Sequence, residues 1–256
     1  LRPCDGSPSR RGRAPVTAPA LSARDVTVTA ADGRLLLRLD RLDVAPGAAL
    51  GVRGPSGAGK STLLNALAGL LRPATGAIRW GGTDVAALGE AARDAFRRRF
   101  MGLIFQDFLL FEELSPLDNA AVGAAFAPRA ERAAIRARAA ALLDRLGVAA
   151  GARDVSRMSG GERQRIAVAR ALSGGPRVIL ADEPTASLDR ANADLLIADL
   201  LALAREGGGT VIAVSHDPAV TMAMDRIVSV VDGVARDGDH AGAAVVAAPV
   251  AERARA

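Results

Sequence analysis

The chain has 256 residues, half of them hydrophobic, 24% charged and only 3% aromatic, so its interior must be built from Leu, Val, Ile and Ala. That length suits one large domain carrying a subdomain. No stretch reaches the roughly 18 consecutive apolar residues of a membrane span, which predicts a chain that is soluble by itself. The net charge of +5 is modest for a nucleic-acid binder, and no aromatics interleave the one dense basic run, Arg97-Arg98-Arg99. That run reads as a solvated face beside a partner, and no nucleic-acid partner is expected.

Residues 1–20 carry Pro3, Pro8, Pro15 and Pro19 with Arg10, Arg11 and Arg13, and no apolar stretch follows. The reading is a disordered tail rather than a secretory signal. Cys4 is the only cysteine, which excludes an intramolecular disulfide and fits a reducing compartment.

Residues 24–29 and 35–44 alternate apolar and polar, as two strands of an antiparallel edge sheet joined at Asp32-Gly33. Residues 48–53 form a short buried strand. Residues 61–71 read as a helix stopped by Pro73 and a turn at Thr75-Gly76. Another apolar strand spans 101–105. The pattern then becomes helical, over 129–146 and again over 161–172, as an insertion covering about residues 107–175. Strand 178–181, helix 190–204, strand 210–215, helix 218–224 and strand 227–231 follow. Such alternation implies a parallel sheet with right-handed crossovers. From residue 237 onward no periodicity is visible, and a flexible tail is expected.

Between the strand at 48–53 and the next helix lies Gly54-Pro55-Ser56-Gly57-Ala58-Gly59-Lys60-Ser61, followed by Thr62. It matches the phosphate-binding loop G-x-x-x-x-G-K-[ST] in the strand–loop–helix setting which that motif requires. Glycines let backbone N–H groups converge on a β-phosphate at the positive end of a helix. Lys60 would bridge the β- and γ-phosphates, and the Ser61 hydroxyl would hold Mg²⁺. Lys60 is the only lysine among thirty-three Lys and Arg residues. A compact ammonium can follow a migrating phosphoryl group where a planar guanidinium cannot.

Asp182 and Glu183 end the apolar run Val178-Ile179-Leu180-Ala181. Asp182 would reach the Mg²⁺ shell, and Glu183 would orient or deprotonate an attacking water. The competing reading makes both residues caps of the next helix.

Met158-Ser159-Gly160-Gly161-Glu162 resembles the signature motif of ABC-type ATPases, usually written LSGGQ, with Met158 for Leu and Glu162 for Gln. In that family Ser and the two glycines bind the γ-phosphate of ATP held by the opposite subunit. Gln106 is similar to the Q-loop glutamine that senses Mg²⁺ and water. Asp189, in Ser187-Leu188-Asp189, is similar to the D-loop residue at the dimer interface, and His216 to the switch histidine. The resemblance covers about residues 21–236. It implies an α/β fold: a P-loop NTPase parallel-sheet core with an antiparallel β edge subdomain and an inserted α-helical subdomain.

One family element is absent. The chain has no Tyr, and residues 29–33 offer no aromatic to stack on adenine, so weak discrimination between ATP and GTP is expected. The region Arg97 to Phe105, Gln106 and Phe108-Leu109-Leu110 resembles the subfamily of lipoprotein release, macrolide export and cell division. Phe96, Phe100, Phe105, Phe108 and Phe111 gather there, as a docking surface for a membrane partner or as a local core.

The resemblance implies an ATP hydrolase that dimerises on ATP and drives separate integral-membrane permease subunits from the cytoplasmic face of the inner membrane. The alternative it leaves open is an ATPase partner of a cell-division membrane complex, which gates other enzymes without moving cargo. A GTPase is disfavoured because its Asn-Lys-x-Asp motif needs a second lysine.

Overall fold

A computed structural model describes residues 18–149 and 154–237. Cys4, His240 and most of both expected tails lie outside the described residues. The tail boundaries shift slightly. Ala18 is buried, the Ala20 carbonyl accepts from Gly81 N at 2.7 Å, and Asp237 pairs with Val228.

The strands are β1 (Leu21–Thr29), β2 (Leu35–Val44), β3 (Ala49–Arg53), β4 (Thr75–Trp80), β5 (Thr83–Asp84), β6 (Met101–Ile104), β7 (Val178–Asp182), β8 (Thr210–Val214), β9 (Arg226–Val231) and β10 (Val234–Asp237). The helices are α1 (Lys60–Leu67), α2 (Glu90–Phe100), α3 (Pro116–Ala120), α4 (Arg129–Arg145), α5 (Gly160–Ser173), α6 (Arg190–Glu206) and α7 (Pro218–Met222). One sheet runs β5-β4-β1-β2-β10-β9-β3-β8-β7-β6. Its β9-β3-β8-β7-β6 part is parallel, and its β5-β4-β1-β2 part is antiparallel. The hairpin strand β10 joins the two, antiparallel to β9 and parallel to β2. The expected architecture is present, with α3, α4 and α5 inserted between β6 and β7.

The central strands are apolar on both faces because helices cover both. Leu50, Val52, Leu180, Ile212, Val214 and Val228 are each no more than 1% exposed, a burial worth roughly 1.5–3 kcal/mol per side chain before entropy is counted. This rigid centre places the C-terminal ends of β3, β7 and β8 side by side, where parallel-sheet proteins bind ligands.

Several boundaries differ from the expectation. Helix α1 ends at Leu67 rather than 71, because Gly69 turns left-handed (φ 66°) and the Asn65 carbonyl accepts from both Leu70 N and Leu71 N. Thr75-Gly76 opens β4 rather than a turn. Trp80 at its far end is 1% exposed and donates Nε1–H to the Leu67 carbonyl at 2.9 Å. Arg97 does not face solvent with Arg98 and Arg99: it bonds the Gly69 carbonyl at 2.6 Å and pairs with Asp94. Phe96 and Phe100 pack against the sheet core, their ring centroids 4.8 Å apart.

Candidate functional site

The loop at 54–59 leaves β3 and enters α1 at a point where three segments crowd. A Cβ at Gly54 would lie 2.1 Å from the Val230 carbonyl oxygen, so only glycine fits. Gly59, the residue before α1, is left-handed at φ 102°, and a Cβ there would meet the Leu36 carbonyl at 2.7 Å. It supplies no side chain to the first-turn amides, which leaves them facing the cradle. Lys60 Nζ donates to the Gly54 and Pro55 carbonyls, both at 2.9 Å. The lysine thus folds back over its own loop, with its charge held above the cradle.

Asp182 ends β7 beside this loop, with the Ser61 hydroxyl near enough to favour its charged form. Burial is the main cause raising its carboxyl above the usual range, and the Glu183 charge adds to that; Ser61 and Lys60 pull the other way. Its Oδ1 is buried without a hydrogen-bond partner. A buried carboxylate oxygen without a donor is costly. An oxygen-seeking divalent cation shared with the Ser61 hydroxyl would satisfy it, so these residues fit Mg²⁺.

Glu183 is buried, 9% exposed, and left-handed at φ 46°. Its Oε2 accepts from Ser215 Oγ at 3.3 Å and His216 N at 3.4 Å, and lies 2.9 Å from His216 Nδ1. The His216 ring is itself largely exposed. Neither Asp182 nor Glu183 caps a helix. The next helix, α6, is capped by Asp189, whose Oδ1 accepts from Asn192 N at 3.0 Å. The backbone and side-chain bonds from Asn192 hold the Asp189 carboxyl below its ordinary range. Gln106 is exposed two residues beyond β6, the strand next to β7, and makes no hydrogen bond to Ser61 or Asp182 among the described residues.

Ser159, Gly160, Gly161 and Glu162 lie elsewhere, at the start of α5. Ser159 Oγ accepts from Glu162 N at 3.2 Å, while Glu162 Oε2 accepts from Ser159 N and Oγ, both at 2.9 Å. This is a complete capping box. The two glycines make room for the loop before α6: a Cβ at Gly160 would lie 3.2 Å from Ser187 Cβ, and one at Gly161 2.9 Å from Leu188 Cδ2. The predicted site residues therefore fall into two groups. The phosphate loop, Asp182, Glu183 and His216 gather at the strand ends. Residues 159–162 and Asp189 form a separate surface with Ser187 and Leu188.

A cleft of about 420 Å³ runs from Pro55, Lys60 and Thr62 to a wall made by Arg34, Leu35 and Asp232. A larger hollow of about 700 Å³ lies between α4, the end of α5 and α6, distant from this chemistry. Its three arginines are committed: Arg138 to the Ser173 carbonyl, Arg177 to the Gly207 carbonyl and Arg145 to Glu206. They close helix C-termini rather than offer a reactive site. Sequence reasoning missed Ser215 and Asp232. Ser215 was findable as the neighbour of His216, and Asp232 as the first half of the turn dipeptide Asp232-Gly233.

Residues 37–186 match the ABC transporter family. The chain is 46% identical over 195 residues to the macrolide export ATP-binding/permease protein MacB of Sodalis glossinidius, covering 75% of this chain and 29% of that protein. It is 40% identical over 193 residues to the lipoprotein-releasing system ATP-binding protein LolD of Chromohalobacter salexigens, covering 75% and 81%. The fold superposes on the dimeric bacterial ABC transporter cassette MJ0796 with a TM-score of 0.79 at 30% identity, covering 87% of this chain and 99% of that one. The same cassette is known as a dimer in a post-hydrolysis state bound to ADP and Pi. With its phosphate loop, acidic pair and signature helix in one cassette fold, the chain belongs to the ABC transporter family as an ATP-binding, ATP-hydrolysing domain.

Proposed function

We propose that this cassette hydrolyses ATP at a site completed by a second copy of itself, and thereby drives integral-membrane permease subunits in export or lipoprotein release. The observation that carries the reading is the cluster at the strand ends. One lysine lies over a glycine cradle, a buried and unpartnered carboxylate oxygen faces the same loop, and a second carboxylate is fixed by Ser215 and His216. Lys60 exchanges its two carbonyl partners for β- and γ-phosphate oxygens. Ser61 and Asp182 would hold Mg²⁺, with Gln106 available from the β6 side, and the ion would supply neutralisation of charge on the phosphoryl group. Glu183 takes the proton of the attacking water as the new O–P bond forms and the bond to the β-phosphate oxygen breaks, releasing ADP and phosphate. His216 steadies Glu183 and the γ-phosphate.

Ser159, Gly160 and Gly161 do not approach the phosphate loop of their own chain. Head-to-tail pairing of two copies would bring them onto the partner copy's ATP, with Asp189 nearby. Transport requires permease subunits. Among the described residues no helix is long and apolar enough to cross a membrane, and the chain spans only 29% of the macrolide export relative. It spans 81% of the lipoprotein-releasing relative, and the reading is of an ATPase that docks to permeases as a peripheral subunit at the cytoplasmic membrane face.

Glu183→Gln should bind Mg²⁺–ATP yet hydrolyse it at least about 100-fold more slowly, trapping a dimer that elutes early in gel filtration. An ATP-treated variant that stays monomeric counts against the shared site. Lys60→Ala should abolish binding, and wild-type ATPase from it would overturn the assignment of the cradle.

A further inference from the structure

The cleft that begins in the phosphate loop has a second end, and what lines it bears on which base the cassette accepts. Beyond Lys60 and Thr62 the wall is formed by Arg34, Leu35 and Leu36 at the start of β2 and by Asp232 and Gly233 between β9 and β10. None of the cleft-lining residues is aromatic. The two turns are locked to the cradle. Gly233 N donates to the Ala58 carbonyl at 3.1 Å, Arg38 N donates to the Gly233 carbonyl at 2.6 Å, and Gly59 abuts the Leu36 carbonyl. With phosphates seated at 54–61, a nucleoside extending along the cleft meets this wall.

Arg34 is well placed to serve it. Its backbone is pinned, since Arg34 N donates to Asp32 Oδ1 at 3.0 Å and its carbonyl accepts from Ala30 N at 2.9 Å. Its guanidinium, by contrast, has no ion pair or hydrogen bond among the described residues, unlike Arg24, Arg38, Arg41 and Arg145, which all pair with carboxylates. Leu35 beside it is 45% exposed, an uncovered apolar surface on the same wall. A planar guanidinium stacks on a π-face much as an aromatic ring does, and such stacking is indifferent to which base is present.

We propose that Arg34, flanked by Leu35, is the platform on which the purine of the bound nucleoside triphosphate stacks, and that it makes the site accept adenine and guanine about equally. Asp232, left-handed at φ 49° on the same wall, presents acceptors to either purine: to the adenine N6 amine or to the guanine N1–H and N2 amine. This inference rests on the placement of ATP in the proposed function.

Calorimetric titration of the full chain with Mg²⁺–ATP, Mg²⁺–GTP and inorganic tripolyphosphate tests it, in wild type and in Arg34→Ala, Arg34→Lys and Arg34→Phe. Wild type should bind ATP and GTP about equally. Arg34→Ala and Arg34→Lys should each lose on the order of tenfold for both nucleotides, with tripolyphosphate affinity unchanged, and Arg34→Phe should restore nucleotide binding. Full affinity in Arg34→Lys, or parallel weakening of tripolyphosphate in Arg34→Ala, would reduce Arg34 to a point charge and overturn the proposal. An Arg34→Ala variant indistinguishable from wild type would do the same. If wild type binds tripolyphosphate as tightly as ATP, the base wall fails while the cradle stands; if it binds neither, the nucleotide reading itself fails.

Discussion

Arg170 holds a loop in a conformation the chain would not adopt unaided. Phe108 and Leu109 are both left-handed, at φ 59° and 50°, and each such non-glycine residue costs on the order of 1–2 kcal/mol. From the last turn of α5, Arg170 NH1 donates to the Leu109 carbonyl at 2.5 Å and NH2 to the Phe108 carbonyl at 2.6 Å. Two hydrogen bonds from a charged donor are worth about 3–6 kcal/mol gross. Burial of the guanidinium, strong enough to lower its pKa, offsets part of that, leaving about 2–3 kcal/mol.

Arg170→Met keeps the apolar stem and removes both bonds. The loop from Phe105 to Phe111 should then open about 100-fold more often, since about 1.4 kcal/mol is a factor of ten. Phe108 N, bonded to the Phe105 carbonyl, and Phe111 N, bonded to Asn119 Oδ1, report the opening directly. Native-state hydrogen exchange should show these amides accelerated, with β3, β7 and β8 unchanged as internal references. Unaltered exchange in the loop would refute the reasoning, and uniform acceleration across the sheet would show that Arg170 supports the whole fold instead. The functional weight of the loop lies in what it displays: Leu109 is 56% exposed and Phe111 52%.

Three further outcomes are expected. Asn119, fully buried, accepts from Phe111 N and donates to the Phe111 and Leu114 carbonyls at 2.8 and 3.1 Å. Asn119→Ala should lower unfolding stability by about 3 kcal/mol in urea, and a loss near zero would mean that the loop relaxes freely. Glu162→Gln can keep an acceptor for Ser159 N while removing a carboxylate beside the incoming phosphate; in a Glu183→Gln background it should dimerise at lower ATP, measured by light scattering, and an unshifted midpoint would deny the electrostatic effect. Asp182→Asn relieves a half-buried charge one of whose oxygens lacks a hydrogen-bond partner and should raise the thermal midpoint of the nucleotide-free protein while abolishing ATPase activity; a lowered midpoint would show that the carboxylate is satisfied.

The parts of the site that are contiguous in sequence are readable there, because each is a strand end followed by a chemically constrained loop. The phosphate loop, the Asp182-Glu183 pair and His216 all follow buried apolar strands whose short period is unmistakable. Helix α2 was harder to read: its 11 residues are mostly polar, none is fully buried, and it packs on the core only through the i,i+4 pair Phe96 and Phe100. β4 was hidden by Gly76, which looks like a turn and instead accommodates a bulge where the Asp25 carbonyl would lie 2.4 Å from a Cβ. The base wall was least legible, since Arg34 and Asp232 stand near opposite ends of the described chain and line one cleft only because β10 pairs with β2.

Backbone strain draws the same map by an independent route. Among the described residues, five non-glycine residues are left-handed: Asp25, Phe108, Leu109, Glu183 and Asp232. Two of them, Glu183 and Asp232, sit where function is proposed, at the water-activating carboxylate and the base wall, and Phe108 and Leu109 lie in the loop held by Arg170. Each is held by a bond that a relaxed backbone would not need: Glu183 by Ser215 and His216, Phe108 and Leu109 by Arg170, and Asp232 through the Gly233–Ala58 bond beside it. Asp25 keeps the inference honest. It is equally strained, but the Thr75 hydroxyl bonding its carbonyl at 3.2 Å ties it to the β1–β4 bulge, away from the residues that line the nucleotide cleft. Left-handed geometry alone therefore marks places where surrounding structure overrides the chain's preference; it marks function only where the residue so held also carries a group with chemistry to perform or a surface to present.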